Sequence, residues 1–447
     1  MSILPDRRYS GRIMKMAFPA IAGLSSQMIV SIIDTAMVGR LDNSEVALAA
    51  MGLGVLATWT LTSFFSSLAT GTHILVARRF GQGKHTAAGI ILNNSLLLSF
   101  VLGILFGILG FFFSYDVINL FSSDEQVARA AGEYIKFRSL GLPFFLLGVS
   151  YRGFFYGIGH TKVFMFSAII MYICNIVFNY LLIFGMAGFP QMGIAGAGLA
   201  ASIGMAVGML FFVAVTFFPD YRKKYRYYSV FAIGLEYIKP IVRISLPVSF
   251  QNILILLGFL VFVAIAGIFG TTQQAATQVV ISALFLSFMP CFGFGIATQT
   301  LVGNELGNDR PNEAYKYGIE TAKIGTVFTI LVGILFFAIP DSILRIITPN
   351  ETVIAVARPL LLLAGAAQVA YGAGIILANA LQAAGATLYV MFLEIVTHWI
   401  IFLPLSYILG RSYGIVGAWL ALPVYIAAYT TLAYLKFRSR TWTELKV

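Results

Sequence analysis

Asp34 is the side chain with the most chemistry to offer. It stands near the far end of an apolar stretch, with Gln27 seven residues and Ser31 three residues before it. On a helix those offsets put all three on one face. A carboxylate at bilayer depth costs about 2.5–3.5 kcal/mol on insertion scales, so such groups face a bundle interior or an aqueous cavity. Desolvation raises the pKa of a carboxylate, which brings proton exchange into the physiological range. The alternative is a structural acid near a helix end, bonded to polar neighbours. Glu394 and His398 are four residues apart in another apolar stretch. A buried His beside a carboxylate is a candidate C-terminal proton relay and equally a satisfied structural pair. Asn175 and Asn179, also four apart, share a face; left to themselves they would supply an interhelical hydrogen bond of about 0.6 kcal/mol.

Other chemistries find no footing. The four histidines (His73, His85, His160 and His398) are scattered, Cys174 and Cys291 sit inside apolar runs, and no GxxxxGK[ST] loop occurs. No metal site, disulfide framework or nucleotide-driven engine follows from these. No catalytic residues and no cofactor are expected beyond a coupling ion, H⁺ or Na⁺. A membrane-embedded enzyme would want its His, Asp, Glu or Ser clustered at one membrane face.

The elements that must position these residues are membrane helices. Hydrophobic residues make up 59% of the 447 and charged residues 11%, against about 25% charged in soluble proteins. Long apolar runs recur at 14–38, 46–75, 87–113, 127–151, 162–184, 193–218, 240–268, 275–302, 315–339, 352–381, 388–410 and 414–435. Runs of this length are helices rather than barrel strands. The basic start MSILPDRRYSGRIMKM leads into the first run, which is too long for a signal peptide and reads as an uncleaved span. Lys and Arg cluster on the side of the N-terminus, with only Arg40, Arg129, Arg345, Arg358 and Arg411 opposite. By the positive-inside rule both termini are cytoplasmic. The net charge of +11 then addresses anionic lipid headgroups, not nucleic acid. Residues 219–238, with the run DYRKKYRYY, form a cytoplasmic linker between a six-helix bundle at 1–218 and another at 239–447. Glu313, Lys316, Glu320 and Lys323 repeat at helical spacing and read as an interfacial charged face.

The halves repeat. LVARRFGQGKHTAA (75–88) aligns with LVGNELGNDRPNEA (301–314), GIAGAGLA (193–200) with GIVGAWLA (414–421), and a shift of 228 sets Pro19 on Pro247. Each proline removes a helical hydrogen bond and is a candidate hinge or a static bend. Two six-helix repeats start on the same side, so a pseudo-twofold axis along the membrane normal relates them, with a cavity between. The same shift sets Asp34 on Phe262 and Gln27 on Ile255, so the ionisable stripe is not duplicated. Met28, Met37, Phe154 and Met171 join Gln27 and Ser31 as candidates for a soft, adaptable substrate cavity.

In their order and spacing, Pro19, DTAMVGRLD (34–42), GTHILVARRFGQGK (71–84), GHTK (159–162) and GIAGAGLAAS (193–202) resemble the multidrug and toxic compound extrusion (MATE) transporters over essentially the whole chain. Neither 240–268 nor 352–381 contains an acid, which resembles the DinF branch; the NorM-like branch carries cation-binding carboxylates there. The resemblance implies an all-α membrane protein of twelve transmembrane helices in two six-helix bundles forming a V. It further implies cation-coupled export of amphipathic, often cationic, molecules. Asp34 would be joined by Asn175, Asn179 and the Ser202 hydroxyl in a hydrogen-bonded cation or proton site. Some members carry a second carboxylate where this chain has Asn179, and with a single acid the reading favours H⁺ over Na⁺. A monomer in a prokaryotic inner membrane would hold the whole pathway. The nearest rival, a lipid-linked precursor flippase of the same broad superfamily, needs cations in the cavity, and only Lys136 and Arg138 are candidates.

Overall fold

The computed structural model describes residues 5–122, 124–228, 230 and 232–445. Ten of its helices are individually long and apolar enough to cross a membrane. The spans are α1 (Arg7–Val38), α2 (Ser44–Gly81), α3 (His85–Phe112), a broken α4 (Glu125–Ser139 and Leu142–Gly157), α5 (Thr161–Phe184) and α6 (Gly193–Thr216). They continue with α7 (Leu235–Ile268), α8 (Thr271–Gly307), α9 (Pro311–Ala338), α10 (Glu351–Ala383), α11 (387–413) and α12 (415–438). Twelve spans emerge from ten long helices for two reasons. The α4 segments are each too short to cross alone, and the helix running to Arg438 is interrupted at Gly414 (φ 65°, ψ −155°). That backbone conformation is open to glycine and costly for any residue with a Cβ. The sequence places a span boundary at the same point.

Packing divides the chain inside two helices rather than at the linker. Ala22–Ser245 form one compact unit; the chain before Ala22 and after Ser245 forms the other. The cuts fall two or three residues after Pro19 and one or two residues before Pro247. The opening turns of α1 therefore belong with α8–α12, and those of α7 belong with α2–α6. Small residues make these seats. A Cβ on Gly293 of α8 would meet the Ala17 carbonyl at 3.3 Å, and one on Gly71 of α2 would meet the Ile241 carbonyl at 2.8 Å.

Polar contacts hold the start of α1 in its seat. Arg12 Nη1 reaches Glu305 Oε1 (3.4 Å) and the Tyr317 hydroxyl (3.2 Å), the Tyr9 hydroxyl donates to Glu313 (2.9 Å), and the Asp6 amide donates to Glu320 (2.7 Å). The charged stripe of α9 keeps its own pairs, Glu313–Lys316 at 2.8 Å and Glu320–Lys323 at 2.7 Å. It is thus a docking face for the N-terminal segment. Glu305 is 6% exposed, so losing its cation strands a buried charge, although the half-exposed Arg12 limits the gain from the pair. Arg12→Ala should lower stability by about 1–2 kcal/mol, read as a drop in the thermal midpoint of the purified protein; Arg12→Lys should recover part of it.

The linker is packed, not loose. A short helix, Pro219–Tyr225, ends on Tyr225, and Tyr225 and Tyr227 are each 2% exposed. Asn93 of α3 donates to the Tyr227 carbonyl (2.8 Å), Asn94 donates to the Ala232 carbonyl (2.7 Å), and the Tyr227 hydroxyl donates to the Thr216 carbonyl (2.6 Å).

Candidate functional site

Asp34 lies on the part of α1 that belongs to the Ala22–Ser245 unit, and α5 brings the two asparagines to it. Asn179 donates from Nδ2 to Asp34 Oδ1 at 2.6 Å. The amide of Asn175 is assigned with its nitrogen toward the same oxygen, because that orientation satisfies both of its ends: Nδ2 donates to Asp34 Oδ1 (3.1 Å) and Oδ1 accepts from the Ala201 amide (3.2 Å). Asn179 is fully buried and Asn175 is 5% exposed, while Asp34 is half-buried. One carboxylate oxygen is thus clasped by two neutral donors at the rim of a packed interior. Asn179 Oδ1 has no partner among the described residues.

A cation lies within electrostatic reach of this carboxylate. Arg138 acts electrostatically on Asp34, and both act on Tyr134 and Tyr172. The guanidinium stands 5.7 Å from the centre of the Tyr134 ring. Its position follows from the break in α4. Pro143 supplies no amide hydrogen, so the Ser139 carbonyl lacks its helical donor and the helix gives way over residues 140–141. The Ser202 hydroxyl of α6 donates to two carbonyls beside the break, Phe137 (2.7 Å) and Arg138 (3.1 Å), the second of which also accepts from the Gly141 amide (3.1 Å). The close approach of the helices depends on Gly198, whose absent Cβ would overlap the Tyr134 carbonyl.

Ser202 therefore fixes the α4 break, and its hydroxyl is spent on backbone oxygens. Ser202→Ala should cost about 0.5–1.5 kcal/mol of stability, seen as a lower thermal midpoint with the ion-to-substrate ratio of transport unchanged. Lys136 turns away, with its ammonium 4.9 Å from the Phe111 ring on α3. Of the two basic candidates, Arg138 is the one that acts electrostatically on Asp34.

The cavity candidates separate. Gln27 and Ser31 are exposed on α1 and Met28 is 36% exposed. Met37 packs on the cluster around Val38, Met51 and Tyr134. Met171 abuts Gly204 and Gly208 of α6, so it fills a helix interface. Phe154 is fully buried and packs edge-on against Tyr225 of the linker at 5.1 Å.

In the other unit, Glu394 and His398 do meet. His398 Nδ1 is 3.0 Å from Glu394 Oε1, and the Tyr425 hydroxyl donates to that same oxygen at 3.1 Å. Arg138, Tyr172 and Tyr425 are the residues that sequence reasoning did not attach to these sites. Each lies on a different helix from its partner, and no spacing rule reports that.

Comparison with known proteins supplies the wider context. A model of the MatE family matches the chain twice, over residues 19–181 and 247–408, with starts 228 residues apart. Probable multidrug resistance protein NorM of Thermotoga maritima is 27% identical over 440 residues, covering 97% of this chain and 93% of that relative. The fold is similar to an outward-facing multidrug resistance MATE family transporter of the MOP superfamily, with a TM-score of 0.88 and 20% identity over 97% of this chain and 96% of that one. It is also similar to a MOP superfamily transporter from Pyrococcus furiosus, described by the reverse polarity of its binding pocket (TM-score 0.86, 20% identity, 96% of this chain and 95% of that one).

Proposed function

Because the chain belongs to the MatE family of membrane transporters, we propose that it is a secondary active multidrug exporter, exchanging amphipathic, often cationic, organic molecules for protons by alternating access. It is a transporter and not an enzyme. The setting we assign is a prokaryotic inner membrane, with both termini cytoplasmic and one chain forming the pathway.

The observation that carries the reading is Asp34 held by two amide donors. With both amide nitrogens aimed at the carboxylate, few oxygens are left to strip water from Na⁺, which like other hard cations is held by oxygen ligands. A proton needs only the carboxylate. Ionised Asp34 accepts from Asn175 and Asn179 and attracts a cationic substrate. Protonation cancels that charge beside Arg138, so the substrate is released as the proton is taken. No acid lies in 240–268 or 352–381, which supports a DinF-like member with its coupling in the N-terminal unit. Pro19 and Pro247, next to the places where α1 and α7 pass from one unit to the other, are suited to absorb the change of access.

Moving one charge through 100 mV releases about 2.3 kcal/mol. At about 150 mV one proton supports about 2.5 decades of gradient for a neutral substrate. Exchange of a monovalent cation for one proton is electroneutral and draws on the pH gradient alone. The test is release of preloaded dye from proteoliposomes after a pH jump or a Na⁺ jump. Release by the pH jump alone is expected; release by Na⁺ alone would reject proton coupling.

A further inference from the structure

The C-terminal unit buries an ionisable cluster that this cycle leaves idle. Glu394 and His398 are 3% and 1% exposed, at the point where α11 passes into a π-helical stretch, Ile395–Phe402. Such stretches are rare and concentrate at functional sites. α7 is shaped to receive this one. A Cβ on Gly258 would lie 2.5 Å from His398 Nε2, and Trp399 Nε1 donates to the Leu254 carbonyl at 3.2 Å.

One proton on the ring would make the pair a neutral unit. With an imidazolium donating through Nδ1 to the Glu394 carboxylate, the two charges cancel, and Tyr425 donates to the same carboxylate oxygen. An uncompensated charge is costly in apolar surroundings, so the dry cage favours this loaded form. Two features make the site more than a lock. The imidazole is ringed by Phe259 (5.6 Å), Phe402 (5.3 Å) and Tyr425 (5.2 Å), measured between ring centres, and aromatic rings stabilise a cation. Its Nε2 is buried without a partner among the described residues, the one atom from which a proton can leave without breaking the contact with Glu394. The titratable groups facing the pair are Tyr371 on α10 and Tyr425 and Tyr429 on α12, with Cys291 of α8 behind Tyr371. α7 presents Gly258 and Phe259, which do not titrate.

We propose that Glu394, His398 and Tyr425 form a second proton-binding site, in the C-terminal unit, that takes up and releases one proton per transport cycle in addition to Asp34. The inference rests on the proton-coupled reading. When water reaches Nε2, that proton passes to it and leaves a neutral imidazole. Nδ1–H and the Tyr425 O–H continue to hold the Glu394 carboxylate, now carrying the single negative charge. Return of a proton to Nε2 restores the neutral pair.

Nitrogen-15 NMR of histidine-labelled protein in lipid nanodiscs tests the site directly, with the His398 signals assigned by their loss in His398→Gln. The expected result is passage from a doubly to a singly protonated ring as the pH is raised, displaced by at least one pH unit in Glu394→Gln. A ring that keeps one protonation state throughout, in wild type, overturns the proposal whether or not any variant folds. In proteoliposomes the proton-to-substrate ratio should fall from two to one in Glu394→Gln and in His398→Gln, with Glu394→Asp retaining two; an unchanged ratio in folded Glu394→Gln overturns it as well. If Asp34→Asn keeps full proton-driven flux while Glu394→Gln lowers the ratio, the Asp34 assignment fails and the C-terminal site stands.

Discussion

Asp34→Asn is expected to abolish proton-driven efflux while leaving a folded protein. Asparagine matches aspartate in size, and its side-chain oxygen still accepts from Asn179, whose donor lies 2.6 Å from Asp34 Oδ1. What disappears is the charge and the capacity to exchange a proton. A gradient of one pH unit is worth about 1.4 kcal/mol per proton, or tenfold accumulation. Dye efflux from everted vesicles or proteoliposomes should therefore fall to the level of empty membranes, and dye binding should lose its dependence on pH. Asp34→Glu restores a titrating group at altered reach and should recover part of the flux. Efflux undiminished in Asp34→Asn would reject the assignment.

Gly198→Val should have the largest effect on stability. Its new Cβ would overlap the Tyr134 carbonyl, and a backbone atom next to a helix break has no rotamer into which to retreat. Overpacking of this kind costs about 1–3 kcal/mol or more. The strain falls on the segment that carries Arg138 and is held by Ser202, so transport should fall together with the thermal midpoint. Gly148→Ala is the control, since nothing lies within 4 Å of its added carbon, and it should leave both nearly unchanged. A Gly198→Val protein with wild-type melting and transport would show that α4 and α6 are not held where they are described.

The spans were legible because lipid imposes a single rule, continuous apolar helix, and the chain obeys it. Even the Gly414 interruption shows as a boundary between two apolar runs. The repeat was legible for a related reason: the two matches to the family model begin 228 residues apart, the offset that sets Pro19 on Pro247. The Asp34–Asn179 contact was reachable because both are polar residues stranded in apolar helices, and the resemblance joined them. Arg138 was not reachable in that role. It is 104 positions from Asp34, and its placement depends on a break closed by a hydroxyl on a third helix. The contact of Phe154 with Tyr225 was not legible, because an aromatic residue reads alike in a cavity wall and in a packed stack. The α9 stripe was visible as charge, but its occupant, the segment from Asp6 to Arg12, carried no mark of where it docks.

The reciprocal placement of the first turns of α1 and α7 reaches back to how such a chain arose. Each repeat lends its opening segment to the other: Ala17 lies against Gly293 in one unit, and Ile241 lies against Gly71 in the other. A single-repeat ancestor built this way would have been an arm-exchanged homodimer, since exchange of an identical element is a low-cost route to pairing. Joined in one polypeptide, the two repeats make that exchange within a single chain. Separately expressed halves, cut between residues 226 and 235, should accordingly recover function only when made together, each completing the other's helix bundle.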